Sequence, residues 1–187
     1  MAFLTEDAVA ALGFARVGRD VRISDRASIY RPERISIGDH ARIDDFCLLS
    51  AGAGGIDIGS YVHIACYTSL IGSEAIVLRD FAGLSGRVSV YSSSEDYSGE
   101  SLTNPTVPEA YRKATHGRVL LERHAIVGAG SVILPGVTLG LGVSVGALTL
   151  VARDLEPFGI YLGVPARRIG TRSQDLLQLE ARLRAAP

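Results

Sequence analysis

The sequence predicts an all-β solenoid, in which short parallel strands stack into coils of triangular cross-section. The 25 residues from Val127 to Val151 contain no charged side chain, yet they include one proline and six glycines. That much glycine and proline excludes a buried helix, and the segment is too long for one strand. Large aliphatic residues instead recur along it at a fixed interval, which is the pattern of a stacked coil.

The interval is six residues. It connects, without interruption, Leu121, Val127, Ile133, Leu139, Val145 and Val151. The residues four positions after the first five of these are small or β-branched, namely Ala125, Ser131, Val137, Val143 and Thr149. A fixed short period is typical of a solenoid whose strands stack coil on coil. Each hexad therefore predicts one short strand and one corner, with its aliphatic side chain pointing inward and glycine or other small residues at the tight corners.

The same period continues upstream with breaks. The earlier inward positions are Val17, Ile23, Ile29, Ile37, Ile43, Leu49, Ile58, Ile64, Leu70, Leu78, Leu84 and Val90. Every break follows a third hexad, and the insertions are two, three, two and 25 residues long. Three hexads therefore form one three-sided coil, and the chain predicts about six coils. The longest insertion predicts a loop over residues 91–118 that leaves one edge between the fourth and fifth coils.

Both ends of the chain predict short helices. Thr5 is suited to cap a helix that runs from Glu6 toward Leu12, with Gly13 at its end. Residues 173–184 predict a second helix, because its leucines recur at helical spacing and its charges suit the helix dipole. We expect both helices to cover the open ends of the solenoid. The predicted organisation is a cap over 1–16, a β-helix domain over 17–170 and a C-terminal helix over 171–187.

Composition narrows the function classes. Nineteen basic and 20 acidic residues give a net charge of −1, which offers no argument for a nucleic-acid or membrane partner. No apolar run approaches the length of a membrane span, and acidic residues stand where a signal peptide carries positive charge. Cys47 and Cys66 form no metal motif and no disulfide framework. A cytoplasmic protein is therefore expected.

The residues resemble those of the hexapeptide-repeat acyltransferases over about 17–170. The strongest part of this resemblance is HAIVGAGSVILPGVTLG followed by GALTLVARDLEPFGIYLGVPARRI, within residues 124–169. The resemblance implies a left-handed parallel β-helix, an acyl-CoA donor, usually acetyl-CoA, and no metal cofactor. It also implies direct transfer of the acyl group to a hydroxyl or amine, with a general base and a backbone N–H at the oxyanion.

The catalytic base is the point at which this chain departs from the family. Members that modify sugars and antibiotics carry a histidine early in the long loop, but here Glu95 and Asp96 stand near that place. The candidates for the base are therefore His116 at the return end of the loop, Asp96, and His63 on a corner of the third coil. The usual asparagine of the preceding coil is also absent, and Ala65 lies near its position.

Other loop and corner residues complete the acceptor side of the predicted site. Glu95 is a candidate to bind a sugar hydroxyl or ammonium group. Tyr91, Tyr97 and Asn104 are candidate acceptor contacts. His40 and His124 occupy ordinary turn positions, and we expect both to be structural.

The resemblance places the pantetheine arm of coenzyme A along the last coils, against small side chains. The matching residues here are Ala129, Ala147 and Ala152, where a large side chain would block the channel. The nucleotide phosphates would meet Arg153, Arg167 and Arg168, with Arg172 nearby, since the planar guanidinium offers paired donors to phosphate.

The prediction is thus an acetyltransferase that acts on a sugar, nucleotide-linked or a precursor of a surface polysaccharide such as lipopolysaccharide. Serine or an antibiotic is the alternative acceptor, and O- and N-acylation stay open. A non-catalytic β-helix and a γ-type carbonic anhydrase with three zinc-bound histidines are the alternative functions. The flat faces of a triangular prism also favour a homotrimer with sites between subunits.

Overall fold

The computed structural model describes residues 2–185 and confirms the predicted solenoid. It contains six complete coils and a partial seventh, against the six that the period predicts. The first four coils comprise β1 (Arg16–Val17), β2 (Arg22–Ile23), β3 (Ser28–Tyr30), β4 (Ile35–Ile37), β5 (Arg42–Ile43), β6 (Leu48–Ala51), β7 (Ile56–Ile58), β8 (His63–Ile64), β9 (Ser69–Gly72), β10 (Ile76–Leu78), β11 (Gly83–Leu84) and β12 (Ser89–Tyr91).

The long loop follows the fourth coil, and the remaining coils follow the loop. The loop contains β13 (Ser93–Ser94) and β14 (Thr115–His116). The later strands are β15 (Val119–Leu121), β16 (Ile126–Val127), β17 (Val132–Ile133), β18 (Thr138–Leu139), β19 (Ser144–Val145), β20 (Leu150–Val151), β21 (Gly159–Leu162) and β22 (Arg167–Thr171). Two single 3₁₀ turns occur at Pro32–Arg34 and Glu109–Tyr111.

Three parallel sheets form the faces of the prism. The first sheet has the order β1-β4-β7-β10-β15-β18, the second β2-β5-β8-β11-β16-β19-β21-β22, and the third β3-β6-β9-β12-β17-β20. Among the described strands of these three sheets, only β22 runs antiparallel, against β21. We call the corners between the first and second sheets the first edge, those between the second and third sheets the second edge, and those between the third and first sheets the third edge.

The aliphatic positions of the repeat form the core. Sixteen of the eighteen predicted inward residues are buried, and most of them have no exposed surface. The two exceptions are Val17, which is 37% exposed, and Ile29, which is half-buried. Both belong to the first coil, which has a neighbouring coil on one side only. The prediction that every hexad buries its aliphatic residue is therefore wrong at the open end.

The corners are less dependent on glycine than the sequence suggested. Large residues adopt left-handed backbone conformations there, including His40, Tyr61, Phe81 and His124 on the first edge, with φ between 58° and 63°. Their rings stack in that order, with centroids 4.7–5.0 Å apart. Stacking between coils and backbone hydrogen bonds offset the cost of positive φ.

Helix α1 (Glu6–Ala11) has the predicted cap, since Thr5 Oγ1 accepts a hydrogen bond of 3.3 Å from the Ala8 amide. Helix α2 (Asp175–Ala185) differs from its expected position. Its buried Glu180 bonds to the fifth coil, and its Arg184 bonds to Asp80 of the fourth. These contacts place α2 along the first edge, whereas the sequence predicted a cover over the open end.

The predicted terminal segments 1–16 and 171–187 include residues 1, 186 and 187, which lie outside the described residues. Within residues 2–185, no helix is long and apolar enough to span a membrane.

Candidate active site

A cleft of about 270 Å³ lies where the second sheet meets the second edge. Its lining residues are His63, Ala65, Gly83, Leu84, Ser85, Gly86 and Ile126. They come from the third, fourth and fifth coils, because equivalent positions of successive coils stack in register. Apart from His63, Leu84 and Ile126 the lining is small, so a ligand can approach the backbone here.

Gly83 shows that this surface is kept open. A Cβ added at Gly83 would have no heavy atom within 4 Å, and its φ is not in the left-handed region. Neither the packing nor the backbone of this chain therefore requires glycine at this strand position, where glycine weakens a strand. The space above Gly83 is available to a ligand or to a second chain.

His63 is the titratable side chain of the cleft, and Asp44 orients it. His63 Nε2 lies 2.9 Å from Asp44 Oδ2, and Arg42 Nε donates to Asp44 Oδ1 at 2.6 Å. Burial alone would raise the pKa of the Asp44 carboxyl, but the hydrogen bonds from Arg42 and His63 outweigh it and lower the pKa. Asp44 therefore stays ionised near neutral pH and can stabilise a charged imidazole.

The long loop begins and ends at the third edge. Strands β13 and β14 form an antiparallel stem, in which Ser93 pairs with His116 and Ser94 with Thr115. His116 is exposed, and its Nδ1 lies 2.8 Å from Ser93 Oγ. His116 and Ser73 help to line a groove of about 580 Å³ beside the loop.

Asp96 closes a turn within this loop. Ser98 donates to its Oδ1 through the backbone amide and the hydroxyl, and Ser101 donates to its Oδ2 through the same two groups. The hydrogen bonds from Ser98 and Ser101 lower the pKa of Asp96 to about 2. Such a carboxylate is a weak base, and its acceptor positions are already used. The turn leaves Tyr97 92% exposed at the surface.

The candidate acceptor contacts Glu95, Tyr91 and Asn104 lie in three different environments. Arg112 donates to Glu95 Oε1 at 2.5 Å, whereas the buried Glu95 Oε2 has no hydrogen-bond partner among the described residues. Tyr91 ends β12 and is half-buried. Asn104 has φ of 72°, and its side-chain oxygen accepts hydrogen bonds from Thr106, so it forms an exposed turn.

The structure does not bring all the predicted catalytic residues together within one chain. His63 lies beside the second edge, whereas His116, Asp96 and Glu95 lie on the loop at the third edge. The third sheet separates these two edges by one hexad, or roughly 20 Å of extended chain. A site that used both sets would need the loop of one chain and the cleft of another.

The predicted donor residues fall into two groups. Ala129 and Ala147 are exposed neighbours on the second edge, connected through the Leu148 amide, which donates to Ala129 O at 2.9 Å. Ala152, Arg153 and Arg167 line a second cleft of about 210 Å³ near the last coil, together with Pro165 and Ala166.

Two further arginines differ in their availability. Arg168 lies outside this second cleft, with its guanidinium bonded to Gly170 O and Thr171 Oγ1. Arg172 donates to the backbone carbonyls of His124 and Gly142, and burial lowers the pKa of its guanidinium. Arg172 therefore serves the packing of the first edge, and the expectation that it lies near the donor phosphates has no support in these contacts.

The sequence interpretation missed Ser85, Gly83 and Asp44. The hexad period contains the signal for the first of these, because Ser85 occupies in the fourth coil the position that Ala65 occupies in the third. Gly83 precedes an inward leucine, where most coils carry a side chain. The role of Asp44 becomes visible only when β5 is stacked on β8, because this stacking brings Asp44 beside His63.

The remaining histidines are structural, as their turn positions suggested. His40 lies 3.3 Å from Asp20 and stacks on Tyr61, and His124 bonds to the buried Glu180 at 2.5 Å. Across residues 2–185, no group of three or more histidine, cysteine, aspartate or glutamate side chains is arranged to hold a metal ion.

No family model matches the chain. The chain is 49% identical over 181 residues to the dTDP-4-amino-4,6-dideoxy-D-glucose acyltransferase of Escherichia coli, covering 97% of this chain and 94% of that relative. An aspartate-to-asparagine variant of AntD, an N-acyltransferase from Bacillus cereus solved with dTDP and coenzyme A, superposes with a TM-score of 0.94. It is 45% identical, and the match covers 98% of each chain.

A serine-to-cysteine variant of AntD, solved with dTDP-4-amino-4,6-dideoxyglucose and coenzyme A, also gives a TM-score of 0.94. It is 44% identical, with coverage of 97% of this chain and 96% of that one. The matches cover nearly the full length of each protein. The chain therefore belongs to the hexapeptide-repeat sugar acyltransferases, the family of these relatives, and it is an acyltransferase with an acyl-CoA donor.

Proposed function

We propose that this enzyme transfers an acyl group from acyl-CoA to the 4-amino group of dTDP-4-amino-4,6-dideoxyglucose or a close relative of this nucleotide sugar. The observation that carries the proposal is the 49% identity, over 97% of the chain, to an acyltransferase of that name. An AntD structure with this nucleotide sugar and coenzyme A supports it. Of the two bond types that the sequence leaves open, the proposal selects N-acylation.

The cleft residues supply a mechanism for this reaction. The sugar amine attacks the thioester carbonyl, a C–N bond forms, and the carbon–sulfur bond breaks as the thiolate of coenzyme A leaves. When His63 Nε2 carries its hydrogen and donates to Asp44, Nδ1 is free to take the proton from the amine. We therefore favour His63 as the general base over His116 and Asp96.

Ser85 is suited to stabilise the oxyanion. It lies in the cleft two residues after Gly83, and its hydroxyl has no hydrogen-bond partner among the described residues. Its backbone amide already donates to Val127 O at 2.9 Å, so the hydroxyl is the donor that remains. A donor held immediately after the end of β11 costs little reorganisation when charge develops on the carbonyl oxygen.

The donor lies, in this proposal, along the last coils. The pantetheine arm follows Ala129 and Ala147 toward the cleft, and Arg153 and Arg167 hold the phosphates near Ala152. Acetyl-CoA is the expected donor. Because AntD has been solved with 3-hydroxybutyryl-CoA, this longer acyl donor should be tested beside acetyl-CoA.

We further propose that the active form is a homotrimer with each site between two chains. The separation of His63 from the loop supports this arrangement, since a neighbour's loop can carry Glu95, Tyr97 and His116 to the cleft. Cys47 and Cys66 are free thiols, which fits a reducing, cytoplasmic location. The proposal also includes use of the product as a precursor of a surface polysaccharide.

A panel of acceptors tests the proposed function. Acetyl-CoA and 3-hydroxybutyryl-CoA are each supplied with dTDP-4-amino-4,6-dideoxyglucose, with the analogue that has a hydroxyl at C4, and with the free amino sugar. The proposal predicts release of coenzyme A with the first acceptor and little with the other two. Equal rates with the hydroxyl analogue would contradict N-acylation, and equal rates with the free sugar would contradict the need for the nucleotide.

A further inference from the structure

Four exposed side chains form a continuous stack on the second edge, which we call the corner ladder. Arg26, Phe46, Tyr67 and Arg87 occupy the same corner position in the first four coils. The rings of Phe46 and Tyr67 stack with centroids 4.9 Å apart. The guanidinium of Arg26 lies 5.7 Å from the Phe46 centroid, and that of Arg87 lies 5.1 Å from the Tyr67 centroid.

The ladder is exposed although it is rich in aromatic surface. Phe46 is 45% and Tyr67 51% exposed, and both arginines are exposed. Neither Arg26 nor Arg87 forms an ion pair with another of the residues 2–185. The rings hold the guanidinium planes in place, while the N–H groups at their rims are free to donate.

The two ends of the ladder differ in charge. Asp25 and Asp45 precede Arg26 and Phe46 at the corners of the first two coils, so negative charge accompanies that end. Cys66 and Gly86 occupy the same places in the third and fourth coils, so Arg87 is the end with net positive charge. Gly86, which immediately precedes Arg87, lines the cleft.

The position of the corner ladder along the second edge, relative to the cleft, indicates which of the two substrates it contacts. The cleft spans the third to fifth coils, and the donor residues Ala129 and Ala147 continue from it along the fifth and sixth. The two substrates must meet at the cleft without overlapping, so the acceptor has to extend the other way. That direction leads over the first four coils, where the ladder lies.

On the basis of the proposed function, we propose that the corner ladder holds the nucleoside diphosphate part of the acceptor. Arg87 binds the diphosphate next to the cleft, since a planar guanidinium donates paired hydrogen bonds to phosphate oxygens. The ring edges of Tyr67 and Phe46 contact the deoxyribose and the base. This arrangement leaves the sugar amine at the His63 end of the cleft.

Equilibrium binding of dTDP and of coenzyme A, each measured by titration calorimetry, tests the assignment. The variants are Arg87→Ala, Arg87→Lys and, as a charge-matched control, Arg79→Ala, whose exposed side chain lies on the first edge. We expect Arg87→Ala to weaken dTDP binding about tenfold or more. Arg87→Lys is expected to recover part of the loss, and Arg79→Ala to match the wild type. Coenzyme A affinity and the thermal midpoint should stay unchanged in all three.

Three outcomes would overturn the inference in distinguishable ways. If the wild type acylates the dTDP-linked amine and Arg87→Ala binds dTDP as tightly as the wild type does, the ladder does not bind the nucleotide. The proposed function is then unaffected. A loss of coenzyme A affinity instead would assign the ladder to the donor. A wild type that neither binds dTDP nor acylates the nucleotide sugar would contradict the inference and the proposed function together.

Discussion

His63 Nε2 lies 2.9 Å from Asp44 Oδ2, and the other oxygen of Asp44 accepts a hydrogen bond from Arg42 Nε at 2.6 Å. Two adjacent coils supply this chain of contacts, because β5 and β8 pair in register. A carboxylate that orients a histidine beside an open cleft is the usual support of a general base. The same relationship fixes the ring without help from the loop.

The first prediction concerns this pair. His63→Ala should lower kcat about 10²-fold or more, because the base contributes to the transition state, and Asp44→Asn should lower it less. The measurement is steady-state kinetics with acetyl-CoA and the dTDP-linked amine. His40→Ala is the matched control, since His40 also lies beside an aspartate but on the first edge. Full activity in His63→Ala, with activity lost in His116→Ala, would assign the base to the loop.

The second prediction concerns the open floor of the cleft. Gly83→Val should leave the thermal midpoint nearly unchanged, because a Cβ there meets no atom within 4 Å. It should lower kcat/KM about tenfold or more by displacing the reacting groups. Gly59→Ala is the contrasting variant, because its Cβ would lie 2.6 Å from the Asp80 amide nitrogen and should destabilise the fold. A Gly83→Val enzyme with normal kinetics would show that the substrates do not use this surface.

The third prediction concerns the donor channel. Ala147 is exposed on the second edge, so Ala147→Trp should fold normally but weaken coenzyme A binding about tenfold or more. Calorimetry with coenzyme A measures the effect. Leu179→Trp places the same side chain on α2, where Leu179 is 60% exposed, and should leave the affinity unchanged. Equal affinities in the two variants would show that the channel lies elsewhere.

The fourth prediction concerns assembly. His63→Ala removes the cleft base, and a second variant replaces residues 95–114 with a two-residue Asn-Gly turn. Ser94 and Thr115 are paired neighbours, so this turn can close the β13–β14 stem. Each variant should be inactive alone as a trimer. Co-expression should restore about a quarter of the sites, because each site draws its cleft and loop from different chains. An active monomer, or no recovery in mixed trimers, would contradict a shared site.

The fifth prediction concerns the attachment of α2. The buried Glu180 accepts hydrogen bonds from Arg123 at 3.0 Å and Arg184 at 2.8 Å, besides its contact with His124. Glu180→Gln removes the counter-charge of Arg123 and Arg184, which are 42% and 46% exposed, and should destabilise the fold by about 1–3 kcal/mol near neutral pH. Glu156→Gln, at an exposed glutamate, is the control.

The pH dependence of that effect follows from the direction of the Glu180 pKa. Burial alone would raise this pKa, but the hydrogen bonds from Arg184 and His124 outweigh it and hold the pKa below the ordinary value of 4.5. The stabilisation is therefore complete above pH 4.5 and is lost as the pH falls through the lower pKa of the folded protein. The thermal midpoints of the wild type and of Glu180→Gln should therefore converge as the pH is lowered. A difference between the two midpoints that does not change with pH would contradict this account.

The hexad pattern predicted the coils and the loop, because the inward aliphatic positions follow a fixed period, whereas capping residues and helical spacing predicted the two helices. Sixteen buried positions out of eighteen follow from it. The position of α2 did not follow, since a helix face does not reveal which surface it contacts. The exposed Leu179 and Leu183, and the buried Glu180 between them, reverse the polarity that helical spacing suggested.

The site was harder to predict than the fold. Ala129, Ala147, Arg153 and Arg167 came from the resemblance to the acyltransferases, because the repeat alone does not show which edge carries the donor, and their role stays a prediction. The His63–Asp44 pair was missed because its members are 19 residues apart and meet only through coil stacking. Asp96 was given a base role from its place in the loop, but its contacts with Ser98 and Ser101 are invisible in the sequence.

The measurement that tests the central claim most directly is the identification of the product formed from acetyl-CoA and dTDP-4-amino-4,6-dideoxyglucose by mass spectrometry and NMR. The account predicts a product heavier by one acetyl group, with an amide at C4, and one equivalent of free coenzyme A. An ester on a sugar hydroxyl, or no product from an enzyme that binds both substrates, would contradict it.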